Sequence, residues 1–263
     1  MEPRHPLNSD GYFDYGKLPF DCFVIHYWDD ERGAEEDQMQ WDELARRWLD
    51  MTHFERKPYI WTAKSLKKAS PAGPGFPTAE QISRILSPHQ TWEERTMCPD
   101  KYHFTLLLRT CYHPELAEAW KTMKAAICTS DTIIGVDPEC VLENEDLYGA
   151  FEAGDNWNRI VLRMPSIVDE IEPWQRETKD HMAPVEEASV KEQTHIFVVD
   201  EEALRGDFIK VKWLDIHGNC IWDNKLSTDM VEDFFGRQEL GHGFDDMLCY
   251  GDPWMCEKGE FML

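Results

Sequence analysis

Residues 195–222 read HIFVVDEEALRGDFIKVKWLDIHGNCIW, and the succession of patterns inside them decides the fold. The run HIFVV, 195–199, is rich in β-branched and aromatic residues and predicts a central strand. Asp200 ends it, and Glu201 to Leu204 continue as a helical turn. Ile209, Val211 and Trp213 then alternate with Lys210 and Lys212, which predicts a strand with one buried and one wet face. Gly218 and Asn219 suit a hairpin turn before Cys220 to Trp222, so an antiparallel pair is expected to close the segment.

The same alternation of strand and helix extends on both sides. Downstream, Met230, Val231, Phe234 and Phe235 mark the apolar face of a helix with Ser227 or Thr228 as cap and Asp229 in its first turn. Upstream, FTLLLR (104–109) has the composition of a buried strand. Pro114 opens a helix whose Leu116, Trp120, Met123 and Ile127 share one face. Further strands are expected at 132–136 and 160–163, and the polar stretch 170–193 reads as a partly helical insertion.

The first hundred residues are plainer. The opening to Lys17 shows no periodicity, FDCFVIHYW (20–28) predicts a strand, and Trp41, Leu44, Ala45, Trp48 and Leu49 recur at helical spacing over 38–50. Five basic residues and no acid occur over 56–68. SPAGPGFP (70–77) follows as a linker or loop. Thr78 with Gln81 makes a capping box before the stripe Ile82, Ile85 and Leu86. The expected organisation is an extension over 1–69 with one strand and one helix, the stretch 70–77, and an α/β domain over 78–263, with the possibility that 18–69 is continuous with it. The fold class is α/β: a three-layer mixed sheet with a terminal antiparallel hairpin and an N-terminal strand-helix extension.

The 263 residues carry 51 acidic and 27 basic side chains, a formal charge of -24. A field of that sign repels phosphate backbones and anionic headgroups, so neither nucleic acid nor a membrane is an expected partner; a basic protein or a cationic small molecule is. Apolar runs such as 106–108 and 196–199 fall far short of the roughly 20 residues that span a bilayer. No secretory leader is read in the opening residues MEPRHPLNSD. Eight cysteines without paired spacing fit a reduced, cytoplasmic setting better than a disulfide framework.

FTLLLRT (104–110), HIFVVDEEAL (195–204), the lysine-bearing strand after it and MVEDFF (230–235) together resemble a domain family of actinobacteria and fungi, over 104–263 only. That family's strands end in Arg-Thr and in Phe-Val-Val-Asp. Its Trp-Ser-Val-Glu-Asn-Asn-like segment is matched only in part by Ile221 to Leu226. The resemblance implies the fold and, because the family has no assigned activity, no mechanism.

Ligands of open α/β sheets gather beyond the carboxyl ends of parallel strands. The residues following the expected strands are Asp29 and Asp30, Arg109 and Thr110, Asp137, and Asp200. Convergence of Asp137, Asp200 and Arg109 would suit acid/base chemistry; as helix caps the two aspartates would instead satisfy backbone N–H groups. His217, Cys220 and Asp223 around the hairpin have the residue types of a nucleophile or half a zinc site, but alternate side chains of a hairpin point to opposite faces; His103, Cys111 and His113 form a similarly loose group, in which a histidine near a helix start reads as a cap or surface residue. No metal site and no cofactor is expected, and no glycine pattern cradles a phosphate. Trp41, Trp48 and Trp120 belong to helix faces and the core, whereas Trp222, Tyr250 and Trp254 are candidates for a ligand or partner surface. The expected function is a protein-binding or regulatory module. The alternative is a cofactor-independent isomerase, cyclase or hydrolase using strand-end carboxylates.

Overall fold

The computed structural model describes residues 15–68, 75–97, 106–128, 135–153, 156–169, 183–239, 244 and 257–262. Among them, helices α1 to α11 span in turn Pro19–Tyr27, Asp37–Asp50, His53–Lys68, Ala79–Gln81, Trp92–Met97, Ala117–Ile127, Glu145–Tyr148, Arg159–Arg163, Pro184–Lys191, Glu201–Gly206 and Val231–Glu239. Strands β1 to β6 span Leu107–Arg109, Val141–Leu142, Thr194–Val199, Phe208–Leu214, Cys220–Ser227 and Phe261–Met262. The chain packs as two compact units, one of Met1–Lys101, Arg159–Pro173 and Ile216–Gly218, the other of Tyr102–Asn158, Trp174–Asp215 and Asn219–Leu263. Residues on both sides of 70–77 belong to the first unit.

The strand expected over 20–28 is a helix, α1. Pro19 presets its first turn, and Phe20, Phe23 and Val24 stand at i, i+3 and i+4, a helical stripe that the β-rich composition disguised. Asp21, fully buried, accepts hydrogen bonds from the backbone N–H of Gly16 (2.8 Å) and Leu18 (3.2 Å) and from Arg95 Nη1 (2.7 Å). Arg95 Nη2 completes a bidentate pair with it. The capping box at Thr78 and Gln81 forms as expected, with Thr78 N–H to Gln81 Oε1 at 2.9 Å and Gln81 N–H to Thr78 Oγ1 at 3.1 Å.

Trp41, Leu44, Ala45, Trp48 and Leu49 are the buried face of α2. A second buried charge sits behind it. Arg56 of α3, 1% exposed, donates to the Trp48 carbonyl (3.2 Å), to Asp169 Oδ1 (3.3 Å) and to the Ile216 carbonyl (2.7 Å). Trp48 Nε1 donates to the same Asp169 oxygen at 2.9 Å. The strand expected over 160–163 is also a helix, α8, which buries Ile160 and Val161; three apolar residues in a row are too few for periodicity to separate the two.

The second unit is α/β. Its sheet is mixed, with strand order β2-β1-β3-β4-β5-β6. β1 lies parallel between β2 and β3, and β3, β4 and β5 are antiparallel in succession. The terminal hairpin is β4–β5, turning through Gly218 at φ +76°, a conformation glycine adopts without strain. It does not form the sheet edge, because β6 pairs with β5 in parallel. Of the strand expected over 132–136, only 135 and 136 lie among the described residues, where Val136 bridges Cys128.

One sheet face presents Leu107, Phe197, Val199, Val211, Trp213 and Leu226 to Trp120, Met123 and Ile127 of α6 and to Phe234 and Phe235 of α11. Leu108, Ile196, Val198 and Leu214, which alternate with them, are buried as well. The face expected to be wet is therefore covered. Lys212 is only 7% exposed, pairs with Asp223 at 3.1 Å and lies 5.6 Å from the Trp157 ring.

Removing one partner of a buried pair leaves the other charge without water or counter-ion. Arg95→Met should therefore lower the unfolding free energy, read from urea titration, by about 3–5 kcal/mol. A loss below about 1 kcal/mol would show that Asp21 is already satisfied by its backbone donors.

Candidate functional site

The register of β1 on β3 sets Arg109 beside Val199, and the Thr110 N–H donates to the Val199 carbonyl at 3.0 Å. Arg109 and Asp200 thus stand at the carboxyl ends of neighbouring parallel strands. Asp137 does not join them. It precedes the amino end of β2, which runs parallel to β1, and so belongs to the opposite end of the sheet. There it caps a turn, accepting from the Glu139 N–H at 2.8 Å.

Both oxygens of Asp200 are engaged. Oδ1 caps α10 by accepting from the Ala203 N–H (2.9 Å), and Oδ2 accepts from Lys210 Nζ (2.5 Å). Glu202, two residues on, lies 2.8 Å from the same ammonium and 2.6 Å from that of Lys225. Hydrogen bonds from Lys210 and Lys225 pull its carboxyl down to about 2. Arg109 turns away from these acids: Nε donates to the Cys111 carbonyl at 2.8 Å, and the guanidinium lies 4.4 Å from the Tyr112 ring and 5.1 Å from that of Trp120.

Trp222 is half-buried, opposite Trp213 across the hairpin, and both rings pack on Phe244, at 5.8 and 4.9 Å. It belongs to the core margin, with its Nε1 buried and without a hydrogen-bond partner among the described residues. Tyr250 and Trp254 lie outside the described residues. The hairpin group is dispersed over separate partners: His217 Nδ1 lies 2.5 Å from the Leu49 carbonyl, Cys220 Sγ 3.2 Å from the Trp222 carbonyl, and Asp223 faces Lys212.

Two members of the other loose group come together with a third residue that no local pattern singles out. His103 lies outside the described residues, but Cys111 Sγ, a ring nitrogen of His113 and a carboxylate oxygen of Glu152 all fall within 4.8 Å of one another. The tether of Thr110 to β3 holds the chain straight past β1, and Pro114, opening the turn that leads into α6, fixes His113 just before it. Glu152 is oriented by the Glu201 N–H, which donates to its Oε1 at 2.9 Å. His113 Nε2 lies 3.9 Å from Glu152, and Nδ1 lies 3.9 Å from Glu201 and 4.0 Å from Glu115. Burial, together with a hydrogen bond to Glu152 and the charge of Glu201, pushes the Cys111 thiol up to about 11.

In the first unit, the outward face of α3 carries a surface of a different kind. Phe54 and Trp61 are 75% and 60% exposed, and the Lys57 ammonium stands between them, 5.8 and 5.3 Å from the two rings. Arg56, Ile60, Ala63 and Leu66 occupy the buried side of the same helix. Thr52 and Glu55 fix its start reciprocally, with Thr52 N–H to Glu55 Oε2 at 2.7 Å and Glu55 N–H to Thr52 Oγ1 at 3.4 Å.

A carboxyl held below its ordinary range adds stability above that range, and this stability is lost as pH falls toward the folded-state value, because the unfolded chain then takes up a proton that the native state refuses. Glu202→Gln should thus lower stability at neutral pH and flatten the decline between about pH 5 and 2. Superimposable pH–stability curves for the two proteins would mean that the Lys210–Glu202–Lys225 bridge contributes nothing. No protein-family model matches the chain, and comparison with curated proteins and with solved structures finds none similar to it.

Proposed function

We propose that the protein is a binding module for another protein and that the outward face of α3 is its contact surface. The observation that carries this reading is the exposure of Phe54 and Trp61 two helical turns apart with the Lys57 ammonium between them. Aromatic side chains on a surface are the residues from which interface anchors are drawn, and they cost solvation while unpartnered. The strand-end acids lend the enzymatic alternative no support, since Asp200 is occupied on both oxygens and Asp137 stands elsewhere.

The partner follows from local charge. Across a Debye length of about 8 Å at physiological ionic strength, the net charge of the chain is largely screened, and the groups at the contact decide which side chains meet. The net charge of -24, which favours a basic protein or a cationic small molecule, acts on the surface as a whole. At α3 the charge that stands against both rings is the half-buried Lys57 ammonium, so the segment we propose for this face presents carboxylates flanking an apolar anchor.

Selection of a random peptide library on the protein tests this. The enriched peptides should be rich in Asp and Glu around an aromatic or aliphatic residue, should weaken with added salt, and should lose at least tenfold in affinity for the Phe54→Ser/Trp61→Ser variant. Both positions are exposed, so the variant should keep its stability within about 0.5 kcal/mol per site. Enrichment of Lys- and Arg-rich peptides, or equal binding to the variant, would overturn the reading.

A further inference from the structure

We propose that Cys111, His113 and Glu152 form a binding site for a single zinc-type divalent transition-metal ion, with a fourth coordination position left open. This inference concerns the second unit and is independent of the α3 surface.

The donors are a sulfur, an imidazole nitrogen and a carboxylate oxygen, brought within 4.8 Å of one another from two segments far apart in the chain. Bonds of about 2.0–2.3 Å to a tetrahedral zinc ion set its ligands about 3.3–3.8 Å apart. A contraction of about 1 Å is within reach of His113, whose side chain is 48% exposed. Nε2 of the histidine faces Glu152, while Nδ1 lies 3.9 and 4.0 Å from the carboxylates of Glu201 and Glu115, beyond hydrogen-bond distance but near enough for a small shift to let one of them accept its proton, as the outer partners of metal-bound histidines do. A thiolate ligand disfavours calcium and magnesium, and the mixed sulfur, nitrogen and oxygen set suits zinc, with cobalt as its spectroscopic substitute.

The same three residue types also make a nucleophile, a base and an orienting acid, but their arrangement argues against that use. Cys111 is fully buried, so its sulfur is not open to an incoming substrate as a nucleophile would be, and it meets the His113 ring and the Glu152 carboxylate within 4.8 Å. A divalent ion resolves this arrangement. It takes the place of the thiol proton between sulfur and carboxylate, forming the metal–sulfur bond and releasing one H⁺ to solvent, and its two positive charges offset thiolate and carboxylate together. Three protein ligands with an open fourth position is the pattern of sites that bind water or a substrate on the metal.

The full chain, stripped with a chelator and titrated with Co²⁺, reads this directly. One equivalent should give a thiolate-to-cobalt charge-transfer band in the near ultraviolet, one proton should be released per ion, and Zn²⁺ should displace the cobalt. Cys111→Ser should abolish the band, and Glu152→Gln should weaken binding at least tenfold. Because replacement of the buried cysteine can disturb folding, His113→Ala serves as the second variant: Zn²⁺ should raise the melting temperature of the wild type in a concentration-dependent way and leave that of His113→Ala unchanged. Cys128→Ser and Cys140→Ser should behave as wild type. Absence of the band at stoichiometric cobalt, its survival in Cys111→Ser, or an equal thermal shift in His113→Ala would overturn the proposal and leave three side chains that meet without binding a metal.

Discussion

The Arg56 guanidinium is the joint on which the first unit depends. A permanently charged group cannot be buried without full compensation, and this one gathers the end of α2, Asp169 and the Ile216 carbonyl around itself. Those partners lie more than a hundred residues away along the chain in two cases, so satisfying one side chain closes several long loops at once. Trp48 is drawn into the same arrangement by its indole N–H to Asp169 and by its ring, 5.0 Å from the guanidinium. With Arg56 committed inward, the helical rotation of 100° per residue leaves Phe54, Lys57 and Trp61 facing away from the core. The surface of α3 is thus a geometric result of where its buried arginine points.

In the second unit the corresponding constraint is the parallel trio β2-β1-β3. A parallel pair cannot close with a tight turn, so each crossover carries the chain away and back, and the residues leaving the carboxyl ends of β1 and β3 become neighbours. Cys111 and His113 leave one strand, and Asp200 and Glu201 leave the next. Glu152, from the crossover between β2 and β3, is held against them by the Glu201 N–H. Chemistry accumulates at this rim because strand direction places side chains there, although the acid that the sequence singled out is consumed in capping α10 and pairing with Lys210.

The central strand and the hairpin were legible because their patterns are long and of one period. HIFVV and the alternating lysine strand appear as β3 and β4, and the helices of Trp41 to Leu49 and Leu116 to Ile127 bury the faces their spacing indicated. FDCFVIHYW misled because its composition favours strand while its spacing favours helix, and the buried Asp21–Arg95 pair settles the matter from outside the segment. Lys212 misled in the other direction. A lysine on a strand implies water, but an aspartate on the neighbouring strand and a tryptophan ring keep it buried. Cys111 and His113 were visible as a pair, whereas Glu152 is one of six acids over 139–155 and nothing local distinguishes it from the others. Its selection is a tertiary fact.

The outermost strands of the sheet, β2 and β6, are each two residues long. A flat, extended margin offers a row of open amides onto which another chain can add a strand, the first step toward filaments. Among the described residues, margins this short offer almost no such row, and where the longer β5 runs past β6 its Asp223 carbonyl already accepts from the Gly259 N–H and its Lys225 is held within the Glu202 bridge. The sheet is thereby protected against growing past its own ends, so crowding of this protein should favour contacts through its helices over strand addition.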